Sequence, residues 1–342
     1  MAGLLLIIVC TFCISCALTL LLSRAGARMG MLDHPNARSL HDTPRPRTGG
    51  LAIWAGCLAG IAVLSVFSGT LAISLWPAAA LAVVGVVALI DDRSHVPALW
   101  RLLVHGLAAG LLITGGWELR ALHLPGFDIA LGAGTGIALT MLLVVWMTNL
   151  YNFMDGIDGL AGGMAVCGFG TLGVLGLLGG DAHYAALCAM IAAAAAGFLL
   201  WNFPPAQIFM GDSGAAVLGL LAALLSLMAD KIGLFPLWVG VLVFSPFVFD
   251  ATVTVLRRAA RRAPVWQAHR EHYYQRLVQT GWTHRRVTLC AYGLMLICAL
   301  VSVLAVRATP TGQWMLIGAL ALLFLSTIIA IRRRESRVRP SR

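Results

Sequence analysis

Eleven runs of apolar residues divide the chain, at roughly 3–23, 50–69, 71–90, 101–115, 129–148, 161–180, 184–201, 214–229, 233–249, 287–306 and 314–331. A helix needs about 20 apolar residues to cross a bilayer. Within hydrocarbon no water satisfies a free N–H or C=O, so such runs must be helices that bond internally. The pattern predicts an all-α, polytopic integral membrane protein with about 11 transmembrane helices. The composition agrees: 60% of the 342 residues are hydrophobic and 11% charged, against roughly 45–50% and about 25% in soluble domains. An ordinary cytosolic enzyme, a disordered chain and a coiled coil are excluded. The first run is too long for the core of a secretion signal, and no basic region precedes it, so it reads as the first transmembrane helix. Cys10, Cys13 and Cys16 recur on one side of that helix and read as small packing residues. The chain is read as one transmembrane domain, 1–342.

The charges supply an orientation. Of 24 basic residues, 23 are Arg and only Lys231 is Lys. With the N-terminus periplasmic, the inner segments are 24–48, 91–101, 149–160, 202–213, 250–286 and 332–342. They hold 21 of the 24 basic residues; the outer loops hold Arg120, Lys231 and Arg307. Positive charge collects on the cytoplasmic side, so the C-terminus is expected there too. Ten of the fourteen acids lie on the same side. A coupled transporter would place ionisable groups near the midplane. Here they gather at one surface, where a soluble substrate can meet a lipid headgroup. The net charge of +10 points to anionic lipids and phosphates, and nucleic acid is not expected.

Five inner loops carry chemistry. The first contains Asp33, His34, Pro35, Asn36, Arg38, His41, Asp42, Arg45 and Arg47 before Gly49-Gly50. Its basic residues suit a second phosphate. Asp91-Asp92 ends the third helix, where the dipole disfavours anions. The pair is either a site for Mg²⁺ or phosphate, or a solvated cap beside Arg93 and Arg101. Asn152, Asp155 and Asp158 with nearby glycines form a cluster of oxygen ligands. Asp155 and Asp158 share a face if helical, and Asp158 is also a candidate N-cap. Pro204-Pro205 ends the seventh helix. Asp212 then opens the eighth, as a metal carboxylate or as a cap with Ser213, and Phe209 can stack on a base. The longest loop puts Arg257/Arg261 and Arg258/Arg262 on one basic face, for lipid anchoring or phosphate. His269, Arg270 and His272 follow. Two histidines without cysteines are a weak zinc pattern, whereas histidine and arginine together clamp phosphates.

In this order the loops resemble the polyprenyl-phosphate N-acetylhexosamine-1-phosphate transferases, the WecA/MraY-like glycosyltransferase family 4. The matching motifs are Pro35-Asn36-x-Arg38 with Gly49-Gly50, Asp91-Asp92-Arg93, Asn152-x-x-Asp155-Gly156-x-Asp158-Gly159, Phe209-Met210-Gly211-Asp212-Ser213-Gly214 and His269-Arg270-x-His272. The resemblance implies a multi-pass enzyme of the bacterial inner membrane with its active site facing the cytoplasm. It would transfer a sugar 1-phosphate from a UDP-N-acetylhexosamine to undecaprenyl phosphate and release UMP. Mg²⁺ is the implied cofactor, with Mn²⁺ as a substitute. By the same resemblance, Asp91 and Asp92 orient or deprotonate the lipid phosphate. Asp212 leads the metal ligands, with Asp155 as a second. Asn36, Arg38, Asn152, Asp155, Gly156, Ile157, Asp158, Asn202 and Phe209 bind substrate, and His269, Arg270 and His272 meet the pyrophosphate or sugar.

The branch of the family acting on MurNAc-pentapeptide carries consecutive histidines where this chain has His269-Arg270-Glu271-His272. The stretch from His272 to Arg286 is more similar to the branch that initiates O-antigen and other surface polysaccharides, so the lipopolysaccharide-type reading is preferred to the peptidoglycan one. Outside the family, an intramembrane aspartyl protease would need glycine at Phe209. A CDP-alcohol transferase would need an arginine after Asp158-Gly159-Leu-Ala. A lipid transporter, the non-enzymatic alternative, would need charges in mid-membrane or paired broken helices. A homodimer is compatible with the fold.

Overall fold

The computed structural model describes residues 2–25, 31–33, 44–69, 73–264, 267 and 269–338. Its helices are α1 Ala2–Ala25, α2 Gly49–Ser68, α3 Leu75–Arg93, α4 Ala98–Thr114, α5 Ala133–Met154, α6 Leu160–Leu178, α7 Ala182–Asn202, α8 Asp212–Lys231, α9 Leu237–Val243, α10 Ser245–Ala260, α11 Tyr273–Gln279, α12 His284–Arg307 and α13 Pro310–Val338. Two short antiparallel ribbons complete it. β1 (Leu32–Asp33) pairs with β2 (Arg45–Pro46), and β3 (Ala121–Leu124) pairs with β4 (Phe127–Ala130). Every apolar run contributes helix. Among the described residues nine helices are long and apolar enough to cross a membrane, and α9 with α10 forms one further apolar pair, a broken span or a re-entrant loop. The run at 101–115 gives the shorter α4.

The eighth helix is the centre. It is buried along most of its length and packs against α5, α3, α9 and α2, while α12 and α13 expose most of theirs. Helices in lipid gain little from burying apolar surface, so close packing and hydrogen bonds join them. On α1 the packed side is Ile7, Thr11, Ser15 and Thr19, one every four residues and all buried. The Ser15 hydroxyl donates to the Ala194 carbonyl of α7 at 2.7 Å. The three cysteines expected to pack here do not: Cys13 is exposed and Cys10 and Cys16 are partly so. Small hydroxyl residues took that face, Ser15 bonding across the interface and Thr19 back to its own helix.

The run 233–249, expected as one helix, is broken. α9 and α10 meet at Phe244 with an 85° bend. Pro246 lies in the first turn of α10; it has no N–H, and its ring excludes the carbonyl of a preceding helical turn. Phe244 fills the corner, edge-on to Phe169 at 5.4 Å. The run at 129–148 also begins differently, because 127–130 is strand and α5 starts at Ala133.

Both ends of the bundle are tied. At one, Arg276 of α11 pairs with Glu335 of α13 and Arg334 donates to the Thr280 hydroxyl at 2.8 Å. At the other, Trp314 Nε1 donates to the Pro125 carbonyl in the β3–β4 turn. There the Leu119 N–H donates to the buried Thr140 hydroxyl at 2.9 Å, which in turn donates to Gly136. Replacing Thr140 by the isosteric valine leaves that N–H unpaired in an apolar setting, a loss of about 1–3 kcal/mol. Thr140→Val should therefore melt several degrees lower in detergent, while the folded fraction keeps its activity because the change lies at the end away from the clustered acids.

Candidate functional site

The site forms where helix ends meet. Asp91 and Asp92 occupy the last turn of α3, each only 7% exposed. Anions there oppose the helix dipole, and the structure shows what compensates. Asp92 Oδ1 accepts the N–H of Asp212 at 2.8 Å, and Oδ2 that of Ser213 at 3.0 Å. Those N–H groups open α8, where a helix has free donors and a positive dipole end. Asp92 is thus a cap supplied by another helix, rather than a solvated one. Gly211 precedes with φ 76°, and a Cβ there would stand 2.7 Å from Asp92 Oδ2, so only glycine lets the carboxylate approach.

Asp91 accepts the Val96 N–H at 2.7 Å and Arg101 Nη1 at 2.9 Å. Arg101, one turn into α4, also reaches Asp212 Oδ2 at 3.4 Å. The Asp91 and Asp212 carboxyls lie within hydrogen-bonding reach of each other. Arg47 pairs with Asp33 at 3.5 Å and is close enough to act on Asp92, Asp155 and Asp212. The first loop arrives here by main-chain bonds: Phe209 N–H donates to Pro46 O, Gly49 N–H to Phe209 O and Gly50 N–H to Met210 O. Phe209 is half-buried between these strands of loop. Asn36 and Arg38 lie outside the described residues.

The segment after α5 is a turn, so Asp155 and Asp158 do not share a helical face. Nor is Asp158 the N-cap of α6; that is Gly159, φ 75°. Asp158 accepts the Ala206 N–H at 3.0 Å and lies 3.3 Å from His284 Nδ1. Asn202 is buried, accepting Gly159 N–H at 3.0 Å and donating to Ile208 O at 2.9 Å. These two polar side chains staple the 155–159 turn to the 202–209 loop. Ile157 is buried in the apolar core. Asn152 Oδ1 is buried without a hydrogen-bond partner among the described residues. Burial pushes the Asp155 carboxyl up to about 7; Arg47 opposes this, and Asp92, Asp33 and Asp158 add to it.

His272 is 3% exposed, and its Nδ1 is 3.2 Å from Asp250 Oδ1. Its ring stacks on Phe153 at 5.9 Å, beside Asp155, and lies 4.9 Å from the ring of His269. The Tyr274 hydroxyl donates to Phe153 O at 2.9 Å. It fills the space a Cβ of Gly156 would take, 2.1 Å away. The last loop is thereby locked to the Asp155 turn. Burial, then His272 and Arg258, lower His269 to about 4, so it is neutral at pH 7. Arg270 lends its carbonyl to Gln279.

Three of the four arginines on the basic face meet one acid, Arg258 buried, Arg257 partly buried and Arg261 still exposed. Arg257, Arg258 and Arg261 all engage Glu271. Burial would raise the Glu271 carboxyl, but hydrogen bonds from Arg261 and Arg258 hold it below its usual range. These residues fold the loop instead of forming an open phosphate clamp. Arg101, expected beside Asp91-Asp92, does pair with Asp91, and Arg47 of the first loop reaches the acids. Asp250 is the partner to which the sequence assigned no role, because its contacts with the last loop lie 22 to 24 residues further on.

A hard divalent cation takes oxygen ligands, and Mg²⁺ commonly uses one or two carboxylates plus phosphates and water. Among the described residues no three His, Cys, Asp or Glu form a ready metal cage. The donor set still fits that looser mode. Asp212 is about one-third exposed beside Asp91, and Asn152 Oδ1 lacks a partner.

Residues 74–230, spanning α3 to α8, match the model of Glycosyl transferase family 4. The chain is 30% identical over 295 residues to the "probable undecaprenyl-phosphate N-acetylglucosaminyl 1-phosphate transferase" of Bacillus subtilis (strain 168), covering 85% of this chain and 82% of that one. It is 32% identical over 341 residues to the decaprenyl-phosphate N-acetylglucosaminephosphotransferase of Mycobacterium tuberculosis (strain ATCC 25618 / H37Rv), covering 90% and 84%. A phospho-N-acetylmuramoyl-pentapeptide-transferase from Geobacillus sp. (strain WCH70) matches at 30% over 184 residues, 54% of this chain and 56% of that one. With its helical bundle and acid-lined end, the chain belongs to the polyprenyl-phosphate hexosamine-1-phosphate transferases of glycosyl transferase family 4.

Asp155 predicts a pH dependence. Its folded carboxyl titrates above the unfolded value of 3.8, so between those values the folded state binds the extra proton. Metal-free stability should fall as pH rises from about 4 to about 7 and then level off. Melting curves against pH should show that fall lessened in Asp155→Asn, with the variant the more stable at neutral pH.

Proposed function

We propose that the protein transfers an N-acetylhexosamine 1-phosphate from a UDP-sugar to undecaprenyl phosphate at the cytoplasmic face of the bacterial inner membrane. The observation that carries this is the meeting of Asp91, Asp92 and Asp212 with Arg101 at one end of the bundle, beside the Asp155 turn and His272. A lipid-phosphate oxygen would attack the phosphorus that bears the sugar. The bond from that phosphorus to the UMP oxygen would break and UMP would leave, giving a lipid-linked sugar pyrophosphate. Both substrates are anions, so positioning and charge neutralisation are the main tasks.

The chain's residues divide these tasks. Asp92 has both oxygens on backbone N–H groups, so it holds α8 in place. Asp91, beside Arg101, orients the lipid phosphate. Arg101 and Arg47 offset negative charge. Asn152, Asp155, the Gly156 turn and Phe209 receive the uridine side, and His269, Arg270 and His272 the pyrophosphate. Mg²⁺, or Mn²⁺ in its place, would be held by Asp212 with Asp155 and would supply charge neutralisation at the phosphates.

The long matches carry N-acetylglucosamine in their names, while the Geobacillus match spans about half of each chain. UDP-N-acetylglucosamine is therefore the first donor to test, ahead of UDP-MurNAc-pentapeptide. The product would be the first lipid-linked sugar of a surface polysaccharide of the O-antigen type. The arginine bias supports a periplasmic N-terminus and a cytoplasmic C-terminus, with eleven crossings if α4 and the bent α9–α10 pair each span.

Purified protein with Mg²⁺ and undecaprenyl phosphate should release UMP from UDP-N-acetylglucosamine or another UDP-N-acetylhexosamine. Silence with every such donor would end the proposal. Asp212→Asn should insert normally and lose about 100-fold or more in kcat. A near-normal rate at limiting Mg²⁺ would remove Asp212 from the metal site.

A further inference from the structure

Asp250 is buried on α10 and takes no part in the chemistry assigned above. Its carboxylate gathers four groups. Oδ1 lies 2.9 Å from the Tyr273 N–H, 3.2 Å from the Thr254 hydroxyl and 3.2 Å from His272 Nδ1. Oδ2 accepts the Tyr274 N–H at 3.2 Å. An ionised carboxylate only accepts, and backbone N–H groups only donate. The His272 side chain also faces the Gln275 N–H in the first turn of α11, which asks the ring to accept; a carboxylate is the stronger partner, which favours Nδ1 as the donor to Asp250. Nothing among the described residues is hydrogen-bonded to Nε2. The ring also stacks on Phe153 and on Tyr274, each at 5.9 Å.

We propose that Asp250 is a positioning residue for His272: it fixes the proton on Nδ1 and leaves Nε2 as the nitrogen presented to the donor pyrophosphate. Which ring nitrogen carries the proton is set by the bond the other makes, and a buried carboxylate on Nδ1 is a strong way to set it. Asp250 also explains why one α10 residue lies under the start of α11. The same two oxygens that cap Tyr273 and Tyr274 aim the histidine, so ring direction and loop position are set together. The catalytic consequence rests on the transferase reading; the tautomer does not.

In Asp250→Asn the amide oxygen can keep the Tyr274 N–H, while the NH₂ in place of Oδ1 gives up the Tyr273 N–H and, facing Nδ1, would drive the proton to Nε2. The full-length protein, labelled with ¹⁵N-histidine in detergent at about pH 8, where an ordinary histidine is neutral, gives the tautomer directly. The His272 signals are those lost in His272→Gln. The wild type should show Nδ1–H and Asp250→Asn should show Nε2–H. In UMP release, Asp250→Asn should lower kcat about 10- to 100-fold with little change in KM for the UDP-sugar, and should add no loss on the His272→Gln background. An unprotonated Nδ1 in the wild type, the same tautomer in the variant, or losses that multiply in the double variant would each overturn the proposal. If the wild type turned over no UDP-N-acetylhexosamine, the transferase reading would fall, while the nitrogen signals would still decide what Asp250 does.

Discussion

The carboxylate of Asp92 against the N-terminus of α8 is the contact on which the rest depends. It joins two unfavourable things: a buried anion at the negative end of α3, and unpaired N–H groups at the start of a buried helix. Each answers the other, because the dipole that disfavours the first is opposed by the dipole of the second. α8 is the most buried of the long apolar helices, and its start lies against the end of α3 and the beginning of α2. Asp212 is in the first turn of α8. The contact that satisfies α8 therefore also places Asp212 against Asp91 and Arg101.

Around that contact, polar side chains do two kinds of work. Asn202, Asp158 and Glu271 spend their groups on holding loops together. Asn152, Asp155 and Asp212 keep oxygens that the described residues do not fully use. Residue type does not distinguish the two; neighbours do. An asparagine whose oxygen and nitrogen both meet backbone is a staple, whereas one buried with an idle oxygen can serve a ligand.

Much of the fold was legible in the chain because a bilayer permits little else. Each apolar run had to be helix, and each yielded helix, the run 233–249 as two. The break at Phe244 was not legible from hydropathy, since an apolar run reads the same straight or bent; Pro246 was the only mark. The clustering of Asp91, Asp92, Asp155 and Asp212 followed from their lying at helix ends on one side. Their individual tasks did not, because these depend on partners far along the chain. Asp92 meets a residue 120 positions later, and Arg257, Arg258 and Arg261 meet a glutamate that follows them by 10 to 14 residues. Helical spacing put those arginines on one face but could not show that the face is closed by Glu271.

The distance in sequence between Asp92 and α8 also orders events during synthesis. A chain emerging from the ribosome presents α3 well before it presents α8. Until α8 exists, the two acids of α3 have no helix start to meet, and dehydrating them would be costly. That end of the nascent bundle must stay open to water while the helices beyond it are inserted. Closure of that end is then a late event, complete only after the helix carrying Asp212 has arrived.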